Sequence, residues 1–184
     1  MTTLGPTERA ALLGIARGAI LAHLGVAHAP PLPERGPLAE PRGAFVTVYV
    51  GGELRGCIGR FEARAPLAGT VAEMAVQAAS ADPRFPPVSA DEIAELGVSV
   101  SALGSTFRLE DRAALRVGVH GLVVKKGWHR GALLPRVAVE HGWDAGDFLK
   151  HACLKAGLPA RAYEEPDTEL HVFEAEEFGE EPTA

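Results

Sequence analysis

Two consecutive glycines, Gly51 and Gly52, follow a short run rich in β-branched and aromatic residues and precede a second short run, and no other feature constrains the fold as much. Residues 45–50 (Phe-Val-Thr-Val-Tyr-Val) suit a pleated, half-buried surface, and residues 53–59 (Glu-Leu-Arg-Gly-Cys-Ile-Gly) follow the two glycines as the second run. A two-residue hairpin loop needs positive φ at its central positions, which Gly-Gly supplies without steric cost. Residues 45–59 therefore read as an antiparallel β-hairpin.

The elements around the hairpin follow from local period and punctuation. Thr7 is placed to cap a first helix in which Leu13, Ala16, Ile20 and Leu24 recur at helical spacing, with Gly25 ending it. Prolines at 30, 31, 33, 37 and 41 then hold the chain extended. Leu67, Val71, Met74, Ala75 and Ala78 form the stripe of a second helix that the Asp82-Pro83 step terminates. Ser89 and Glu92 make a capping box for a short third helix, and residues 97–103 alternate as a strand. A second hairpin pairs 122–124 with 131–134 around Gly127. Asp144 caps a helix with Phe148, Leu149, Ala152, Cys153 and Ala156 inward and Gly157 closing it, 171–175 is a last strand, and the acidic tail at 179–184 is expected to be mobile.

The halves echo one another. Arg55-Gly56 and Arg130-Gly131 each open the second strand of a hairpin that is followed by a helix and a strand. This order predicts mainly antiparallel pairing with helices outside.

Composition limits the function classes. The 184 residues suffice for one continuous core, and the net charge of −6 gives no general attraction to nucleic acid or anionic lipid. Two cysteines are too few for a disulfide framework or a cysteine-rich zinc site, so free thiols, no structural metal and no cofactor are expected. The apolar run at 10–21 contains Arg17 and follows Glu8, so it reads as an amphipathic helix and not as a leader peptide. With no run long enough to span a membrane, the expectation is a cytoplasmic protein.

A regular register through the hairpin sets Cys57 opposite Val46, Arg55 opposite Val48 and Gly56 opposite Thr47, with Arg55 and Cys57 on one face. On that register a guanidinium near the thiol favours the thiolate, and the flanking glycines Gly56 and Gly59 leave room for a ligand. The plain alternative is a small buried strand residue against Val46, with the glycines marking a bulge or close packing. His120, His141 and His151 are candidate bases, and the sequence brings none of them to Cys57; His151 reads as a helix-surface residue and Cys153 as core. The rigid loop Asp82–Pro87, anchored by Phe85 with Asp82 and Arg84 polar, is either a packed connection or one wall of a ligand pocket. The basic segment 125–130, which contains Trp128, is the one local candidate for nucleic acid, and a charged hairpin tip explains it more simply.

Six segments in order carry a resemblance: 54–59 (Leu-Arg-Gly-Cys-Ile-Gly), 82–87 (Asp-Pro-Arg-Phe-Pro-Pro), 98–101, 133–135 (Leu-Leu-Pro), 142–144 (Gly-Trp-Asp) and 153–159. Together they closely resemble the AMMECR domain family over about residues 10–178. Arg136 and the stretch 161–163 depart from the family pattern only at its periphery. The resemblance implies a single AMMECR-type domain over 1–184, of α+β class, with two related subdomains sharing one barrel-like sheet. Prokaryotic members look like components of a system with a Memo-like protein and a radical S-adenosylmethionine protein. It implies no settled activity, which leaves three readings. The first is an enzyme or small-molecule-binding protein with Cys57 and Arg55 as catalytic candidates and Gly56, Gly59, Asp82, Arg84 and Phe85 as substrate contacts. The second is a non-catalytic partner in that system, and a nucleic-acid regulator is the least favoured.

Overall fold

The computed structural model describes residues 3–179. The elements run α1 (Pro6–His23), β1 (Ala44–Val50), β2 (Glu53–Arg60), α2 (Leu67–Ser80), β3 (Leu96–Leu103), β4 (Phe107–Arg108), β5 (His120–Lys126), β6 (His129–Leu133), α3 (Pro135–Glu140), α4 (Ala145–Lys155) and β7 (Glu169–Gly179). This is an α+β chain whose strand pairs are antiparallel. It divides into two compact units: the residues through Leu103 together with those from Glu176 onward, and Gly104–Ala175. The tail expected to be mobile lies, beyond residue 179, outside the described residues.

In the first unit β1 lies between β2 and β3, and α1 and α2 supply the apolar cover. Val46, Val48, Val98 and Val100 meet Leu12, Ile20, Val71, Met74 and Ala75 in one core, all but Met74 at most 1% exposed. The α1 stripe is centred on Leu12, Ile15, Ala16, Ala19 and Ile20. Thr7 does not cap this helix: Gly5 is the N-cap and Pro6 takes the first helical position, where its missing N–H costs nothing. The Ser89 capping box forms as expected, but the turn it opens is a 3-10 helix, Ala90–Glu95.

In the second unit β5 pairs with β6 and β7, and β4 pairs with β7. Leu122, Val124, Leu170 and Val172 pack against Phe148, Leu149, Ala152 and Cys153 of α4, which Asp144 caps by accepting from Asp147 N at 2.8 Å. The six-residue α3 and the two-residue β4 had no periodic signal to announce them. The last strand is longer than expected, running from Glu169 to Gly179.

The Arg-Gly echo has a packing basis. A Cβ on Gly56 would overlap the carbonyl oxygen of Ala78 in α2, and a Cβ on Gly131 would overlap the backbone of Ala156 at the end of α4. In each unit the glycine lets the C-terminal turn of a helix approach the second strand of the hairpin.

Candidate functional site

Gly51 and Gly52 both adopt positive φ, 58° and 81°, and Val50 pairs with Glu53 across them, so the tight turn forms as read. The regular register does not continue. Tyr49 pairs with Leu54 but Val48 pairs with Gly56, leaving Arg55 as the extra residue of a β-bulge. A single inserted residue shifts everything beyond it by one position. Cys57 therefore stands opposite Thr47, not Val46, and Gly56 opposite Val48.

The consequence is a change of face. Val48 and Gly56 point to α2, so Thr47 and Cys57 occupy the opposite face of the sheet. Cys57 is partly exposed and accepts a hydrogen bond from the Thr47 hydroxyl at 3.3 Å from Oγ1 to Sγ. It is not sealed among the core valines. Cys153 is: it is fully buried on α4, and desolvation pushes its thiol pKa up.

The loop after α2 is tied to this strand by two charged clamps. Asp82, whose side chain is 2% exposed, accepts the Cys57 backbone N–H at 2.9 Å and the Arg84 N–H at 3.1 Å. The Arg84 guanidinium closes on both oxygens of the same carboxylate, Nε to Oδ1 at 2.9 Å and Nη2 to Oδ2 at 2.7 Å. Chiefly through the Arg84 hydrogen bonds, the Asp82 carboxyl is held well below the usual carboxylate range although burial opposes this. Arg84 Nη2 also reaches the Cys57 carbonyl oxygen at 3.4 Å, while its side chain remains 57% exposed. Its pKa is raised, first by the Asp82 hydrogen bonds.

The second clamp begins at the bulge. Arg55 donates from Nε to the Pro86 carbonyl at 3.1 Å and pairs through Nη2 with Glu92. Glu92 in turn receives the Ser89 N–H and hydroxyl, and the Arg55 hydrogen bond lowers its pKa to about 2. Arg55 thus faces the loop and the 3-10 turn; the guanidinium that reaches Cys57, at its backbone carbonyl, is that of Arg84. Phe85 lies under Arg84, the guanidinium carbon 5.2 Å from the ring centroid.

The two glycines predicted to admit a ligand are filled by protein atoms. Gly56 receives α2, and the Phe45 ring lies where a Gly59 side chain would stand. The structure thus brings Cys57, Asp82, Arg84 and Phe85 together, with Arg55 and Glu92 bracing them. Sequence reasoning missed Thr47 and Glu92. Glu92 was visible as the end of the capping box, while Thr47 could be found only with the bulge in hand. His151, exposed as expected, stacks on Trp143 with centroids 3.9 Å apart, and His141 stacks on the same ring at 4.6 Å.

No helix among the described residues is long and apolar enough to cross a membrane. Comparison with known proteins gives a consistent result. The AMMECR1 family model matches residues 13–178. A protein of Methanothermobacter thermautotrophicus is 44% identical over 186 residues, covering 97% of each chain. One from Methanopyrus kandleri is 48% identical over 153 residues, covering 78% of this chain and 74% of its own. The crystal structure of an uncharacterized protein from Pyrococcus horikoshii aligns with a TM-score of 0.82 at 38% identity, over 93% of this chain and 90% of that one.

Proposed function

Because the chain belongs to the AMMECR1 family, we propose that it is an enzyme or small-molecule-binding component centred on residues 54–59 and 82–87. In this reading it acts with Memo-like and radical S-adenosylmethionine proteins, as its resemblance to the prokaryotic AMMECR proteins implies. The observation that carries the reading is the placement of Cys57: partly exposed, on the sheet face away from α2, with the Thr47 hydroxyl on its sulfur and the Arg84 guanidinium on its backbone carbonyl. Reactivity of a thiol follows thiolate character and access together, and this position offers a neighbouring cation and access. Cys57 is the reactive group, and the exposed side of Arg84 holds an anionic part of the ligand. Phe85 contributes an apolar wall. Asp82, Arg55 and Glu92 are positioning residues, since their charges are engaged in holding the loop to β2.

Alkylation of the native protein by iodoacetamide, followed by peptide mapping, tests the reading. Cys57 should label first, and Cys153 only after denaturant is added. Labelling of Cys153 before Cys57, or of neither in the native state, would sink it.

A non-catalytic interaction role has one observation in its favour: Arg55, Asp82, Arg84 and Glu92 already neutralise one another within the chain. Affinity capture from the native host separates the readings. Recovery of the Memo-like protein by a Cys57→Ala variant as efficiently as by the wild type, with no ligand found on the wild type, favours the interaction role.

A further inference from the structure

The bulge at Arg55 decides which side chain the Cys57 sulfur meets. A regular register would set Cys57 against Val46, which has no polar hydrogen to offer; with the inserted residue Cys57 stands opposite Thr47. The pair is of the close kind. Both main-chain polar groups of Cys57 leave the β1–β2 ladder, the N–H donating to Asp82 at 2.9 Å and the carbonyl accepting from Arg84 Nη2 at 3.4 Å. Antiparallel partners that exchange no main-chain hydrogen bonds stand about 4.5 Å apart at Cα, against about 5.5 Å for bonded pairs, and their side chains approach. Thr47 Oγ1 accordingly reaches Sγ at 3.3 Å.

Thr47 is itself fixed. It occupies the central strand, paired with Cys57 of β2 and with Ser99 of β3, and is 3% exposed. β-Branching restricts its χ1. The Cys57 backbone is tied in turn to Asp82, so hydroxyl and sulfur are carried by two backbones with little freedom to part. A hydrogen bond to an ionised acceptor is roughly twice as strong as one to a neutral acceptor. The Thr47 hydroxyl therefore supports the sulfur most when it carries negative charge, which is the form that attacks.

We infer that Thr47 is the positioning residue of the candidate site: its hydroxyl fixes the direction of the Cys57 sulfur and supports its charged, attacking form, while the exposed Arg84 guanidinium acts on the anionic part of the incoming molecule. The inference rests on the reading of Cys57 as the reactive group. The two roles separate because Thr47 touches the sulfur, whereas Arg84 touches the Cys57 carbonyl and the Asp82 carboxylate.

The test compares alkylation of Cys57 by iodoacetamide, which is neutral, and by iodoacetate, which is anionic. In both, the sulfur displaces iodide from the CH2 carbon, an S–C bond replaces the C–I bond, and the thiol proton passes to solvent. Loss of the donor lowers the thiolate fraction by about tenfold, but the freed thiolate is the stronger nucleophile, and a Brønsted slope of about 0.4–0.5 leaves a net loss of about three- to fourfold. Thr47→Val, which keeps the shape, and Thr47→Ala should each slow both reagents by that factor at about pH 7, and Thr47→Ser should stay within about twofold of wild type. At about pH 10, above the ordinary thiol value of about 8.5, Thr47→Val should react at least as fast as wild type. Arg84→Gln should slow iodoacetate about threefold and leave iodoacetamide within about twofold. Unchanged rates in Thr47→Val and Thr47→Ala, a loss of equal size at both pH values, or a loss in Thr47→Ser as large as in Thr47→Val would overturn the assignment. Wild-type Cys57 that resists both reagents until denaturant is added would instead remove the reading it rests on, and the assignment with it.

Discussion

Replacing Asp82 probes the clamp on which the candidate site depends. Asp82→Ala removes the acceptor of the Cys57 amide, the acceptor of the Arg84 amide and the partner of the Arg84 guanidinium together. Leaving the Cys57 N–H without a partner costs about 1–3 kcal/mol, and the lost turn bond to Arg84 N about 1 kcal/mol more. The Arg84 pair adds about 0–1 kcal/mol, because the guanidinium is more than half exposed and water screens it. A total of about 3 kcal/mol is expected for alanine. Asp82→Asn keeps one oxygen and should cost about half as much, and Arg84→Gln less than 1 kcal/mol. Urea titrations give the order, and amide hydrogen exchange localises it. Exchange at Cys57 should quicken at least about tenfold in Asp82→Ala, since each 1.4 kcal/mol is a factor of ten.

The pH dependence has a definite sign. The folded Asp82 pKa is depressed, so its contribution is fully present above the unfolded value of about 3.9 and is lost as pH falls towards the folded one. The stability gap between wild type and Asp82→Asn should be constant above about pH 5 and shrink below about pH 4. An Asp82→Ala variant within about 0.5 kcal/mol of wild type, or with unaltered exchange at Cys57, would refute the clamp.

The paired glycines make a second prediction: Gly56→Ala and Gly131→Ala should each cost about 3 kcal/mol or more by thermal unfolding, because the overlap is with backbone that cannot rotate away. Wild-type melting in either variant would remove the packing reading of the echo. In the first unit, Arg42 is 3% exposed and reaches the Leu103 carbonyl and Glu176, which also holds Arg9 and the Leu4 amide. Glu176→Gln strands a buried cation and should destabilise by about 3 kcal/mol, checked by urea titration, with a loss under 1 kcal/mol counting against the network.

Local pattern carried most of the secondary structure. The Gly51-Gly52 turn, the α2 stripe, the Ser89–Glu92 box and the Asp144 cap were legible because each depends on neighbours within a few residues. Helix α3 was not, since six residues opened by Pro135 are too short to display a period. The same limit governed the site. Residues 54–59 and 82–87 were readable as the segments worth attention, but the alternation that set Cys57 against Val46 held only while β2 stayed regular. What displaced it is long-range: α2 needs the backbone at Gly56, and Arg55 reaches across 37 positions to Glu92. The sequence by itself determined that a hairpin forms here and that its second strand carries Arg55 and Cys57. Tertiary structure alone decided which face each occupies, because a bulge costs little locally and its position is chosen by the contacts it permits with distant elements.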